Sequence, residues 1–181
     1  MQATTHVDLE ARCNEMDINF NVVPGITATA LAVSLSGLQS YRFGRQVTNP
    51  FSYGDYLPYS PLEMICNNYE NNLHTLVLFD LDPTGMGLDK PSPMKPYEAI
   101  GLLEKMSEKM ALESRSFEIL KKQVKEWNGV LLTDISMKNQ KVSAGKLGDL
   151  LKLDKGWIHC MIVPAAMNEN ELEAFERRNF L

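Results

Sequence analysis

Residues 19–38, NFNVVPGITATALAVSLSGL, carry the pattern that decides the fold class. Residues 19–23 become increasingly apolar and predict a strand, and Pro24-Gly25 cannot continue the central ladder of a sheet, so the chain turns there. The small residues that follow predict a helix, with Thr27 as its N-cap and Gly37 near its end. A strand, a turn and a helix in this order are typical of an α/β fold.

The rest of the chain continues this alternation of helices and strands. Thr4 or Thr5 can cap a first helix of about ten residues. Apolar periodicity predicts helices over residues 62–71, 96–110, 117–127, 145–151 and 168–178, and strands over 73–82, 130–136 and 157–163. Residues 45–61 are rich in aromatic, Pro, Ser and Asn residues, which favours a domain boundary. We therefore predict a first domain over residues 1–47 and a second over 48–181.

Composition restricts the classes of protein to which the chain can belong. With 181 residues, 44% hydrophobic and 23% charged, it can bury the core of a globular protein. A net charge of −5 disfavours direct nucleic-acid binding, which needs a basic surface. The longest charge-free run, residues 18–41, contains Pro24-Gly25 and several polar residues, so it predicts buried structure and no membrane contact.

Few residues show a pattern that is diagnostic of a site. The three cysteines have no CxxC spacing and predict neither disulfides nor a zinc site, so we expect no metal and reduced thiols in the cytoplasm. The common phosphate, dinucleotide, zinc-protease and hydrolase motifs do not occur in the sequence. His159 shares a strand face with Trp157 and Met161, which favours either a core histidine or a cleft residue. The Pro24-Gly25-Ile26-Thr27 segment fits either a tight turn or a helix start that a ligand approaches closely.

Several sequence blocks, taken together, resemble one protein family. They are ATTHVDL (3–9), VVPGITATA (22–30), GLQSYRFG (37–44), NNLHTLVLFDLD (71–82), NQKVSAGKL (139–147) and WIHCMIV (157–163). In this order and at these distances they are similar to the diphthine synthases, the methyltransferases of diphthamide biosynthesis. The VPGIT segment alone is also similar to a motif of the wider tetrapyrrole methylase superfamily.

The resemblance implies an activity, a cofactor and partners. It implies a two-domain α/β protein that binds S-adenosylmethionine between its domains, works as a homodimer and methylates the amine of a modified histidine on translation elongation factor 2. It carries the cofactor contacts of the family onto Gln2, Thr27, Ala28, Phe79, Ile135 and His159. No catalytic base is implied, because methyl transfer is achieved mostly by alignment in a water-poor cleft. Tyr53, Tyr56 and Tyr59 are candidates to face the methylated cation.

One departure from the family changes the expectation for this chain. The family has a Gly-Asp-Pro turn and an opening strand before the block that matches ATTH, whereas Met1 here lies two residues before Ala3. We therefore expect a tetrapyrrole methylase-like two-domain fold with part of the first domain's sheet missing, a mixed sheet in the second domain, and weak or no activity. The alternatives are another tetrapyrrole methylase-type methyltransferase, or a non-catalytic remnant that acts only in dimerisation or partner binding.

Overall fold

The computed structural model describes residues 4–54, 56–82 and 90–179. The helices are α1 (Thr4–Glu15), α2 (Ala28–Ser36), α3 (Ser60–Glu70), α4 (Pro96–Leu112), α5 (Leu147–Leu150) and α6 (Glu169–Glu176). The strands are β1 (Val47–Asn49), β2 (Thr75–Phe79), β3 (Asn128–Thr133), β4 (Lys141–Lys146) and β5 (His159–Val163). None of the helices within the described ranges is long and apolar enough to cross a membrane.

The strands form one mixed sheet in the order β1-β2-β5-β3-β4. β1 and β2 are parallel, whereas β5 is antiparallel to both β2 and β3, and β3 is antiparallel to β4. The α/β fold and the mixed sheet are therefore as predicted. The predicted strand over residues 73–82 is β2, and those over 130–136 and 157–163 are β3 and β5.

Helices cover both faces of the sheet, and side chains alternate between the two cores. One core joins Val77, Leu131 and Met161 to residues of α3, α4 and α5. The other joins Leu76, Leu132 and Ile162 to α2 and α6. Successive residues of a strand point to opposite faces, so the buried strands read as continuous apolar runs, as the sequence indicates.

Most helix-boundary signals act as predicted, but Thr4 and Thr5, the predicted caps of the first helix, lie inside α1. Thr27 accepts a hydrogen bond from the backbone N–H of Ala30 at 3.3 Å and caps α2. Gly37 ends α2 with a left-handed φ of 80°, which glycine adopts without steric cost. Pro96 occupies the first turn of α4, and Asn168 caps α6 in a reciprocal capping box with Glu171.

Two local predictions are wrong, and the strand β4 was missed. Residues 19–23 form no strand and lie mostly exposed, because no neighbouring strand among the described residues pairs with their backbone. The helix predicted over 117–127 is two short 3₁₀ turns, Glu118–Lys121 and Val124–Glu126. Lys122 and Gln123 between them are extended, and the Lys122 carbonyl accepts the indole N–H of Trp127 at 3.2 Å. β4 was not predicted, because its KVSAGK sequence is short of β-forming residues.

The N-terminal part of the chain packs less than the rest. α1 has no buried residue, and Val23 and Ile26 are each 83% exposed. α2, from the predicted first domain, packs on the same sheet as the second-domain helices through Ala32. The predicted boundary between residues 47 and 48 falls inside β1 and stays a prediction.

A buried polar network ties the C-terminal helix to the sheet. The Glu171 carboxylate accepts hydrogen bonds from the backbone N–H groups of Gln39 and Asn168 at 3.0 and 3.1 Å. The same carboxylate pairs with Arg42 and with His74 Nε2, which lies 2.9 Å from Oε1. The Ala165 N–H donates to His74 Nδ1 at 3.0 Å, so the neutral ring carries its proton on Nε2. Every polar atom of this carboxylate and ring is therefore paired.

The first prediction concerns the stability that Glu171 provides. Glu171→Ala leaves Arg42, His74 and two backbone N–H groups without their partner, so we expect the free energy of unfolding to fall by about 3–5 kcal/mol. Glu173→Ala, which removes an exposed pair with Arg177 on the same helix, should cost less than about 1 kcal/mol. Urea denaturation measures the free energy of unfolding of both variants. Equal losses in the two would contradict a structural role for the Glu171 network.

The second prediction concerns pH. Burial lowers the pKa of His74 below 6.5, and burial together with the Lys95 ammonium lowers the pKa of His159. The stability that these groups contribute is complete above pH 6.5 and is lost as the pH falls below it, because the unfolded chain then binds more protons. We expect the free energy of unfolding in urea to be lower at pH 5.5 than at pH 7.5. An unchanged value would show that neither ring resists protonation in the folded state.

Candidate functional site

A cavity of about 290 Å³ lies at one edge of the sheet, where β2 and β3 end and β5 begins. Three stretches of the sheet edge and the start of α2 contribute to its wall. The lining residues are Ala28, Leu78, Phe79, Leu81, Leu132, Asp134, Ile135, Met137, Ile158, His159 and Cys160. The lining is mostly apolar with few polar groups, which is typical of small-molecule sites, and the volume is near the lower end of their usual range of about 300–1,000 Å³.

The structure brings four of the six residues carried over from the family into this one cavity: Ala28, Phe79, Ile135 and His159. By strand alternation His159 lies on the sheet face covered by α4, whereas α2 lies on the other face. Ala28 and His159 nevertheless line the same cavity, together with Leu78, Leu132 and Cys160, which lie on the α2 face. Their function as cofactor contacts stays a prediction.

The other two residues lie elsewhere. Thr27 lines a neighbouring cavity of about 260 Å³ with Phe43 and Gly44, and its hydroxyl is 3.0 Å from that of Thr29. Its hydroxyl is therefore engaged in capping α2 beside the first cavity. Gln2 lies outside the described residues.

His159 lines the cavity, and its ring packs against Thr133 and Gly156. Its side chain is buried, and its Nδ1 lies 3.0 Å from Thr133 Oγ1. Its Nε2 has no hydrogen-bond partner among the residues that the structure describes. Burial and the Lys95 ammonium lower the pKa of His159, while Asp134, Asp154 and the Gly156 carbonyl act in the opposite direction, so the ring is neutral near pH 7. Because Nε2 is itself fully buried, a ligand in the cavity does not reach it unless the ring moves.

Asp134 fixes the two chain segments that form the cavity wall. Its Oδ1 accepts the backbone N–H groups of Trp157 and Ile158 at 2.9 and 2.8 Å, and Oδ2 accepts the Asn139 amide. Burial alone would raise its pKa, but these donors hold the pKa below its ordinary value. The Asp134 backbone has φ 48°, a left-handed conformation that Asp tolerates better than most residues. The carboxylate is therefore a structural clamp with both oxygens engaged.

Gly156 packs closely against Thr133, Asp134 and His159. A Cβ at this position would lie 2.2 Å from Thr133 Cγ2, 3.0 Å from Asp134 Oδ2 and 3.4 Å from His159 Cε1. Lys95 Nζ donates to the Gly156 carbonyl at 2.8 Å and holds it from the other side. Only a residue without a side chain fits here, and its φ of 113° also favours glycine.

Sequence reasoning missed Thr133, Asp134 and Gly156. The signal for Asp134 was present, since a carboxylate directly after the buried strand VLLT is unusual inside a fold. The signals for Thr133 and Gly156 were not, because both depend on the pairing of β3 with β5. Tyr59, a candidate for facing a substrate cation, already faces Lys109 and Arg115, 5.4 and 5.1 Å from its ring centroid.

The described residues offer the cavity no metal centre. No group of three or more His, Cys, Asp or Glu side chains within these ranges could hold a metal ion. Cys160 lines the cavity, but burial raises the pKa of its thiol to about 12, so it is not a ready nucleophile.

Comparison with known proteins shows which proteins the chain is similar to. It is 35% identical over 178 residues to the diphthine synthase of Methanocorpusculum labreanum and 34% identical over 178 residues to that of Methanoregula boonei. The chain is similar to the diphthine synthase family over nearly its whole length. Each alignment covers 98% of this chain and 64% of the relative, so the chain spans a little less than two thirds of the length of these family members. No protein-family model matches it.

The fold agrees with this family. The chain superimposes on a crystal structure assigned as a diphthine synthase from Entamoeba histolytica with a TM-score of 0.84 and 29% identity. The superposition covers 98% of this chain and 67% of the Entamoeba protein. The resemblance stated from the sequence blocks, and the tetrapyrrole methylase-like fold, are thereby confirmed.

The third prediction tests the close packing at Gly156. Gly156→Ala forces a methyl group against Thr133 at a left-handed φ, so we expect the free energy of unfolding to fall by about 1–3 kcal/mol. Gly101→Ala is the matched control, because its Cβ would meet nothing within 4 Å and it lies inside α4. That control should gain about 0.5–1 kcal/mol from helix propensity. A Gly156→Ala protein as stable as the unchanged one would contradict the close packing of Gly156 against Thr133.

Proposed function

We propose that this protein is an S-adenosylmethionine-dependent methyltransferase of diphthamide biosynthesis, and that it methylates the amine of the modified histidine on translation elongation factor 2. Similarity to the diphthine synthases over nearly the whole chain supports the reaction class. The observation that carries the proposal is the cavity that Ala28, Phe79, Ile135 and His159 line together. We further propose that the protein acts in the cytoplasm as a homodimer.

The residues of the cavity fit part of the cofactor. Leu78, Phe79 and Ile135 offer apolar surface to an adenine ring or a thioether chain. When bound, S-adenosylmethionine supplies an electrophilic methyl group. Among the described lining residues no carboxylate is free for its ammonium or ribose groups, since the Asp134 oxygens are engaged.

The chain's own residues would contribute alignment and exclusion of water. Methyl transfer from a sulfonium is an in-line displacement, so a cleft that holds donor and acceptor in line lowers the barrier without a dedicated base. The apolar wall formed by Leu132, Ile135 and Ile158 keeps water from the reacting centre. The clamp by Asp134 keeps that wall in one arrangement, because it fixes the segment before β5 to the segment after β3.

The fourth prediction tests the cofactor by calorimetric titration with S-adenosylhomocysteine. His159→Leu changes a residue of the cavity wall and leaves the buried Thr133 hydroxyl without its partner, which costs about 1–3 kcal/mol. Because the wall then loses its arrangement, the dissociation constant should rise about tenfold or more. His6→Leu, an equal change on exposed α1, should bind as the unchanged chain does. Binding that is lost equally in both variants would point to a general loss of structure.

The acceptor requires a separate assay. The chain is incubated with S-adenosylmethionine labelled on its methyl group and with elongation factor 2 that carries the 3-amino-3-carboxypropyl histidine. We expect label only on the modified factor, and none on the factor with an ordinary histidine. Cofactor binding without any transfer to the modified factor would favour a different acceptor, as in other tetrapyrrole methylases. Absence of both binding and transfer would favour a non-catalytic role in partner binding.

A further inference from the structure

Asp80 lies directly after β2, at the edge of the sheet that carries the cavity. β1 and β2 are parallel, with Asn49 paired to Phe79, and the Asp80 N–H donates to the Asn49 carbonyl at 3.2 Å. A parallel ladder that continued in this register would take the Phe51 N–H to the Asp80 carbonyl and the Asp82 N–H to the Phe51 carbonyl. Both of these N–H groups have a different acceptor here.

The Asp80 carboxylate accepts both of them. Its Oδ2 accepts the Phe51 N–H at 3.2 Å, and its Oδ1 accepts the Asp82 N–H at 3.2 Å. The same Oδ1 also accepts the N–H of Leu81 at 2.8 Å. The ladder between β1 and β2 therefore ends on a side chain, which joins the segment after β1 to the segment after β2.

Leu81 is a wall residue of the cavity, although it is 41% exposed. A side chain with so much exposed surface has few contacts that fix it, so its place depends on its backbone. The Leu81 carbonyl accepts the Ser92 N–H at 2.8 Å. Within the described residues, the acceptor of the Leu81 N–H is the Asp80 carboxylate alone. Two hydrogen bonds therefore set the position of this part of the wall, and Asp80 makes one of them.

Asp134 has the corresponding place on the other side of the cavity. It directly follows β3, as Asp80 directly follows β2. Its carboxylate accepts the N–H groups of Trp157 and Ile158 and so joins the segment before β5 to the segment after β3. Each of the two aspartates thus holds two chain segments together at the same edge of the sheet.

We propose that Asp80 is a positioning residue for the cavity, and that it places Leu81 in the wall by accepting the backbone N–H groups that follow the end of the β1–β2 ladder. Where the ligand of the cavity is identified as the cofactor, this inference rests on the proposed function. The placing of Leu81 itself does not depend on that identification.

Amide hydrogen exchange, measured by NMR in the ligand-free full chain, tests the placing of Leu81 directly. Asp80→Ala removes the acceptor, so we expect the protection factors of the Leu81 and Phe51 amides to fall more than about tenfold, while the amides of β3 and β5 keep theirs. Asp8→Ala is the matched control, because it removes a carboxylate that pairs with Arg12 on exposed α1, and it should leave all of these amides unchanged. Unchanged protection at Leu81 in Asp80→Ala would overturn the proposal. A fall of equal size in β3 and β5 would also overturn it, because it would mark a general loss of stability.

Titration with S-adenosylhomocysteine tests whether a ligand depends on this part of the wall. In Asp80→Ala the Leu81 segment must be ordered when the ligand binds, so the dissociation constant should rise about tenfold. Asp80→Asn keeps one acceptor oxygen in a side chain of the same shape, and should recover the protection of Leu81 and most of the affinity. Lower protection in Asp80→Ala with an unchanged dissociation constant would overturn the positioning role. Lower protection in Asp80→Ala, where the unchanged chain itself binds no S-adenosylhomocysteine, would support the placing of Leu81 and count against the proposed function alone.

Discussion

The pairing of β5 between β2 and β3 is the constraint on which the rest of the structure depends. All five residues of β5 are buried, and both of its edges are hydrogen-bonded. Because β5 is antiparallel to both neighbours, it begins where they end, and His159 comes to lie beside Thr133. A shift of one residue in this register would turn Met161 out of one core and His159 away from its partner. The cavity is thus a direct result of the sheet register.

Local signals were sufficient to locate most elements of the fold. Thr27, Gly37 and Pro96 mark helix ends through backbone chemistry that involves only neighbouring residues. β2 was found because a short apolar run bounded by turn signals has few alternatives. The strand at residues 19–23 was not formed for the opposite reason, since a strand also needs a partner, and the local sequence cannot show whether one is present.

The candidate site was predictable only through the family resemblance. Phe79, Ile135 and His159 are far apart in sequence, and no spacing rule connects them. Asp134 gains its function from the Trp157 and Ile158 amides, which only the fold brings near. Gly156 is required because Thr133 occupies the space where its Cβ would be. Such residues are fixed by long-range packing, so periodicity along the chain contains little information about them.

The absence of buried residues in α1 has a consequence for the order in which the protein opens. A helix of 12 residues is only marginally stable in water when tertiary packing does not support it. The amides of α1 should therefore exchange with deuterium through local opening, while those of β3 and β5 exchange only when the whole sheet unfolds. Protection from exchange therefore increases from α1 to β5. His159, at the start of β5, belongs to the last part of the chain to open.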